Sequence, residues 1–185
     1  MEKRKFSLAI LMVFIIGMMN SYTYILREAT FASMQTGNII KACIDVADGN
    51  FFALHLYLLP VFFFVVGIII HASMSEYKYG KIICWSLLAV SYIAGLFIPY
   101  GRLDFIAVAV LSLGVGIQIQ SIRKVNGVDV ATTMCTGSIR SMTEKIVKYI
   151  KTKDKSLFLG IITYFSIVIA FTLGVIISAL IIKAL

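Results

Sequence analysis

The chain has 185 residues, of which 60% are hydrophobic and only 14% are charged, and its mean hydropathy is +0.96. Because a soluble domain is about one quarter charged, this composition excludes an ordinary soluble protein. The net charge of +8 would suit a nucleic-acid partner. However, the basic residues lie at the edges of apolar stretches, where membrane topology and anionic lipid account for them, so no nucleic acid is expected.

Five long uncharged stretches predict membrane-spanning helices. In chain order they cover residues 6–26, 49–75, 82–101, 105–122 and 156–182. Each stretch has 18 or more residues, which is about the length that a helix needs to cross a bilayer. The basic start followed by the first apolar run is similar to a signal peptide. That run is too long and lacks a small-residue cleavage site, so an uncleaved first helix is predicted.

Two shorter segments share the pattern Met-x-Thr-Gly-x-Ile and lie 100 residues apart, at 34–39 and 134–139. The neutral runs that contain them, 29–40 and 130–139, have only 12 and 10 residues. Runs of roughly 10–14 residues are typical of re-entrant or interfacial pieces of membrane proteins. Short, tilted spans are the alternative, and the run lengths alone do not separate the two.

The repeated motif predicts a duplicated fold with a site at its centre. The similarity continues with Ser21 and Ser121, and with Gly-x-Ile-Ile-x-Ala at 67–72 and 174–179. The prediction is a single all-α integral membrane domain over residues 1–185. It has five spanning helices plus two Thr-Gly helical segments, arranged as repeat A (about 6–75), a linker helix (about 80–101) and repeat B (about 104–183).

The 17 lysines and arginines predict the topology. With both Thr-Gly segments re-entrant and the N-terminus cytoplasmic, 13 of them lie inside and 4 outside. With both segments spanning, 9 lie inside and 6 outside, and two fall within spans. The positive-inside rule favours the first arrangement, in which the two repeats are inverted. The second arrangement makes the repeats parallel.

The Thr-Gly segments are the candidate substrate site. Glycine permits a helix break or a close helix crossing, and threonine could cap a new helix at Asn38 or Ser138. Such a helix start would direct a positive dipole end toward an anionic or neutral polar solute. The plainer interpretation is a packing contact between helices. The candidate substrate-binding residues are Asn20, Gln35, Thr36, Gly37, Asn38, Gln118, Thr133, Thr136, Gly137 and Ser138.

Gln118 and Gln120 lie on different helix faces, so at most one is expected to point inward, and Gln118 is favoured. An amide in a span either bridges helices or faces solute.

No catalytic, cofactor or metal site is indicated. The eight acidic residues that follow Glu2 all lie outside the neutral spans, so no carboxylate pair lies in a core. No HExxH motif or activated serine or cysteine arrangement is present, and the three cysteines show no CxxC spacing. An enzyme is therefore not expected.

The motifs resemble those of the YoaK-like family of bacterial multi-span membrane proteins, a domain of unknown function. The resemblance rests on Thr36-Gly37-Asn38 after a helix with Gly17, and on Thr132-Thr133-x-x-Thr136-Gly137 after Gly116-x-Gln118 and Arg123. It implies six to seven helical segments and a transport role with no established substrate. The chain departs from the family at Asn20, near a position that is often acidic, and at Gln118-Ile119-Gln120, where the family often has Gln-Asn.

Two functions follow as hypotheses. The first is a transporter or channel for a small neutral or anionic solute in the bacterial inner membrane. The second is a non-transporting binding or sensory membrane protein in which the Thr-Gly breaks only shape the core. The expected partners are the lipid bilayer and a small-molecule solute, and a homodimer is a candidate assembly because 185 residues could form half of a functional unit.

Overall fold

The computed structural model describes the backbone of residues 2–130 and 135–184, and within them it contains seven α-helices and one short β-hairpin. The helices are α1 Glu2–Leu26, α2 Gln35–Ala47, α3 Leu54–Met74, α4 Gly80–Phe97, α5 Asp104–Ser121, α6 Cys135–Thr152 and α7 Leu157–Ala184. A 3₁₀ turn, Phe51–Ala53, precedes α3. Strands β1 Lys124–Val125 and β2 Val128–Asp129 pair antiparallel.

Five helical segments are long and apolar enough to cross a membrane, as the sequence predicts. They are Arg4–Leu26, Phe51–Met74, Gly80–Phe97, Asp104–Ser121 and Leu157–Ala184. Helix α4 ends earlier than the predicted residue 101, because Ile98 is extended, with φ −66° and ψ 129°. A residue before proline is disfavoured in the helical region, and Pro99 follows here. The described chain is thus mainly α-helical, with five helices of the length and composition of membrane spans.

The chain divides into two compact units, residues 19–121 and residues 1–18 with 122–185. In the first unit α5 packs against α3 and α4. Helices α3 and α5 run parallel, since His55 and Phe105 meet near their beginnings and Gly67 and Gly116 meet farther along. Helix α4 runs antiparallel to α5. In this unit α5 forms the interior, with 61% of its span buried against 11% for α3.

In the second unit the first part of α1 and α6 both lie against α7. Ser178 on α7 donates to the carbonyl of Met18, 3.1 Å away, and α1 and α7 run parallel. Helix α6 packs against the beginning of α7, where the ring centres of Tyr149 and Phe158 are 6.4 Å apart. The β-hairpin is bonded to α7, because the Tyr164 hydroxyl donates to the carbonyl of Asp129 at 2.8 Å and the Asn126 side chain donates to the Thr163 hydroxyl at 3.0 Å.

Two helix pairs cross with the same local geometry, α1 with α7 at Gly17 and Gly174, and α3 with α5 at Gly67 and Gly116. A Cβ at any of these glycines would overlap the carbonyl oxygen three residues before the partner glycine. It would also lie 3.1 Å from the nitrogen of the residue after that partner. Only small residues allow backbones to approach this closely, so all four positions require glycine. The carbonyls concerned belong to Phe171, Phe14, Leu113 and Phe64.

Candidate functional site

The segment between α1 and α2 turns back along the helices of its own unit. At its start, Arg27 pairs with Asp104, the first residue of α5, at 2.6 Å. Five residues later, the carbonyl of Ala32 accepts a hydrogen bond from Ser112 at 2.9 Å. Ser112 lies eight residues farther along α5, which is about 12 Å at 1.5 Å per residue. The segment 27–34 therefore runs about 12 Å back along α5 before α2 begins.

Asn20 holds this segment at its deepest point. The side-chain oxygen of Asn20 accepts a hydrogen bond from the backbone N–H of Ser33 at 3.1 Å, and its side-chain NH₂ donates to the Ser33 hydroxyl at 2.6 Å. Asn20 lies seven residues before Arg27, so this contact places Ser33 beside α1, about two helical turns before the helix ends. A buried amide in a span requires partners, and Asn20 meets that requirement by fixing Ser33.

The first predicted motif packs against the same segment. Asn38, which is fully buried, accepts from the N–H of Phe31 at 2.9 Å and donates to the carbonyl of Phe31 at 2.8 Å. It also donates to the Gln35 side chain at 3.0 Å, and Gln35 donates to the carbonyl of Ala32 at 2.9 Å. Asn38 and Gln35 thus serve as backbone partners for an irregular stretch of chain.

The predicted capping role of threonine is wrong. Helix α2 begins at Gln35 after Met34, whose side chain makes no capping bond, and α6 begins at Cys135. Thr36 and Thr136 are thus already inside the first helical turn, where a side chain cannot act as the N-cap.

Corresponding residues of the two motifs are exposed and buried in the same order. Thr36 and Thr136 are exposed, Asn38 and Ser138 are buried, and Ile39 and Ile139 are exposed. Each helix therefore turns the residue after the Thr-Gly step inward. The two motifs belong to different compact units. Thr133 lies outside the residues that the structure describes.

The two motif glycines have different surroundings. A Cβ at Gly37 would lie 3.0 Å from the ring of Phe31. At Gly137 nothing in the described part of the chain lies within 4 Å of that position. Among the described residues, Phe31 therefore restricts the size of a side chain at position 37, whereas no neighbour restricts it at position 137.

Gln118, the glutamine predicted to point inward, is fully buried on α5, whereas Gln120 is half-buried. The buried hydroxyl of Tyr92 on α4 donates to the Gln118 side-chain oxygen at 2.6 Å. This bond joins α4 to α5 and gives Gln118 a bridging role.

Arg27 is the main polar residue that the sequence analysis missed. Its side chain is fully buried, and its five N–H donors reach Asp104, the carbonyls of Ile98 and Pro99, and, twice, the Tyr22 hydroxyl, at 2.6–3.0 Å. The guanidinium carbon also lies 4.1 Å from the centre of the Tyr100 ring. The signal available in the sequence was a basic residue ending one span and an acidic residue starting another.

The charge of Arg27 is stabilised by its partners. Burial opposes the charged form, but the hydrogen bonds to Tyr22 and Asp104 outweigh it and raise the pKa of Arg27. This cluster ties the end of α1 to the turn between α4 and α5.

Lys41 fastens the segment from its other side. Its ammonium donates to the carbonyl of Ala29 and lies 5.2 Å and 5.4 Å from the ring centres of Tyr24 and Phe31. Burial lowers the pKa of Lys41, an effect that the nearby charge of Asp45 opposes.

Residues 8–184 match the family model described as "Protein of unknown function (DUF1275)". The chain belongs to the DUF1275 family. The match includes α1 from residue 8 onward, helices α2 to α7 and both Thr-Gly motifs. Among curated proteins and among solved structures, no match was found.

Proposed function

We propose that this DUF1275 protein is a transporter or channel for a small neutral or anionic solute. The observation that supports this most is the re-entrant course of segment 27–34, which brings the uncapped start of α2 about 12 Å back along α5. Irregular backbone at membrane depth is tolerated where protein packs around it or where it lines water. A helix start carries partial positive charge, which favours anionic or neutral polar solutes over cations.

The proposal includes two inverted repeats, A (6–75) and B (104–183), on either side of the linker helix (80–101). The matching glycine crossings and the matching exposure of the two motifs support this duplication. Because Arg27 follows α1 and pairs with the first residue of α5, these two helices run in opposite directions, as inverted repeats require. The charge distribution of this arrangement supports a cytoplasmic N-terminus in a bacterial cell as part of the proposal.

A second function is supported by a different observation. Asn20, Gln35 and Asn38 bond to the backbone and to neighbouring side chains in the described residues, as side chains in a packed core do. A non-transporting binding or sensory membrane protein would need the motifs only for this packing. In both proposals the protein is not an enzyme, uses no cofactor, and belongs with the YoaK-like membrane proteins.

Flux through reconstituted vesicles separates the two functions. Purified protein in liposomes is subjected to stopped-flow osmotic swelling with glycerol and urea as neutral solutes, and with formate and acetate as anions. The transporter proposal expects faster swelling than in protein-free liposomes for at least one solute. If folded protein accelerates none of them, the packed-core function is the better account.

Thr36→Val provides the site-directed test, with Thr172→Val as the matched control. Both threonines are exposed on their helices, but the Thr172 hydroxyl on α7 donates to the carbonyl of Val168 in its own helix. Loss of one solute hydrogen bond, about 0.5–1.5 kcal/mol, is expected to slow flux about two- to tenfold in Thr36→Val. Equal flux in both variants would remove Thr36 from the solute path.

A further inference from the structure

Helix α6 exposes an apolar stripe and a basic stripe side by side. The apolar stripe consists of Ile139, Val147 and Ile150, which are 47%, 46% and 59% exposed. At 100° per residue these three lie within an arc of about 80° on the helix. The neighbouring arc carries the basic stripe, Arg140, Lys148 and Lys151, all of which are exposed.

The opposite side of α6 is occupied by its own unit. Ser138 is buried, and the Tyr149 ring centre lies 6.4 Å from that of Phe158 on α7. The Lys145 side chain packs against Gly160 of α7, so closely that a Cβ at Gly160 would lie 3.0 Å from it. The two stripes therefore face away from α7, and no described element of the unit formed by residues 1–18 and 122–185 covers them.

Helix α2, which begins with the same motif, has a different outer face. Its exposed residues include Ile39, Ile40, Ile44 and Val46, and its one lysine donates to the carbonyl of Ala29. An outer face of this kind suits hydrocarbon. Helix α6 instead combines an apolar stripe with cations, which is the composition of a helix that lies between hydrocarbon and water.

The excess of positive charge decides what covers α6. Residues 135–155 contain six basic and two acidic residues. Arg140 pairs with Glu144 at 2.9 Å, whereas Lys148, Lys151, Lys153 and Lys155 form no ion pair with any described residue. A second copy of the chain docking through this face would bring like charges together. A surface of anionic phosphates complements it.

We propose that α6 lies in the interface of an anionic phospholipid bilayer, with its apolar stripe at the acyl-chain boundary and its basic stripe against headgroup phosphates. Partly buried apolar side chains and cations that attract anionic lipid together hold such helices in the interface. The proposal depends on the membrane character of the chain and is independent of whether the protein moves a solute.

Tryptophan quenching tests the placement. Trp85, the one tryptophan of the chain, is replaced by Phe, and a new tryptophan is introduced by Ile150→Trp in the apolar stripe or, as control, by Glu144→Trp within the arc of the basic stripe. The full-length proteins are reconstituted into phosphatidylglycerol–phosphatidylcholine vesicles with lipids brominated near the carboxyl end of the acyl chain. Quenching and a blue-shifted emission are expected for Ile150→Trp and not for Glu144→Trp.

The lipid charge is tested in the same background. Quenching of Ile150→Trp should weaken in phosphatidylcholine alone and with Lys148→Gln or Lys151→Gln, each lysine contributing about a fivefold factor to the inserted helix. Equal quenching of the two tryptophan variants would overturn the proposal, and so would equal quenching in charged and neutral vesicles. A blue shift that disappears when protein is diluted in lipid, without quenching by brominated lipid, would indicate a second copy and overturn it too.

Discussion

Replacing Asp104 by Asn is expected to destabilise the protein strongly, because it leaves a buried cation without its counter-charge. Arg27 is fully buried, the Asp104 side chain is 8% exposed, and the two are 2.6 Å apart. Removing one partner of a buried ion pair costs about 3–5 kcal/mol. Asparagine keeps an oxygen acceptor and Arg27 keeps four other hydrogen bonds, so the lower end of that range, about 3 kcal/mol, is expected.

The corresponding change in melting temperature is large enough to measure in detergent micelles. For a chain of this size, about 1 kcal/mol corresponds to about 2–4 °C, so Asp104→Asn is expected to lower Tm by about 6–12 °C. Near-ultraviolet circular dichroism during a thermal ramp follows the loss of tertiary packing. Glu144→Gln is the matched control, since it breaks the 2.9 Å pair with Arg140 whose side chains are 81% and 63% exposed. An exposed pair contributes about 0.3–0.5 kcal/mol, or about 1–2 °C.

Equal shifts in Asp104→Asn and Glu144→Gln would refute the argument that burial makes the Arg27 pair important. A double-mutant cycle gives an independent check. Arg27→Met combined with Asp104→Leu should lose less stability than the sum of the two single variants, because the double variant leaves no buried charge unpaired. Strict additivity would show that the two side chains do not act as a pair.

Three further predictions concern the glycines, the cysteines and the topology. Gly116→Ala should lower Tm, because the added Cβ would overlap the carbonyl of Phe64 and overpacking costs about 1–3 kcal/mol. Gly137→Ala should leave Tm unchanged or raise it, since alanine favours a helix over glycine by about 1 kcal/mol. A small polar thiol reagent should label Cys135 faster than the fully buried Cys84. The labelling rate of Cys135 should still rise above pH 9.0, because burial raises the pKa of its thiol. Equal and negligible labelling of both cysteines would favour the packed-core function. Reporter fusions after Lys155 and Leu185 should report opposite sides of the membrane, and agreement between them would exclude five spans.

The spanning helices could be predicted from the sequence because length and apolar content are properties of a local stretch of chain. Each of the five uncharged stretches contains a helix that is long enough to cross a bilayer. The predicted end of α4 at residue 101 is too late, because Pro99 disfavours the helical conformation of Ile98. The sequence also indicates Asn20, Gln35, Asn38 and Gln118 as polar candidates, since amides in apolar surroundings require partners.

The identity of those partners was not available from the sequence. Asn38 bonds to Phe31 and Asn20 to Ser33, and both bonds exist because segment 27–34 turns back along α1 and α5. Arg27 and Asp104 are 77 residues apart, and their pairing depends on the end of α1 lying beside the start of α5. Hydrophobicity determines which stretches enter the membrane, whereas hydrogen bonds act over about 3 Å and depend on how the helices are placed in space. For this reason composition and spacing were sufficient to predict the spans and the polar candidates, and the packed helices determined which candidates hold the chain together.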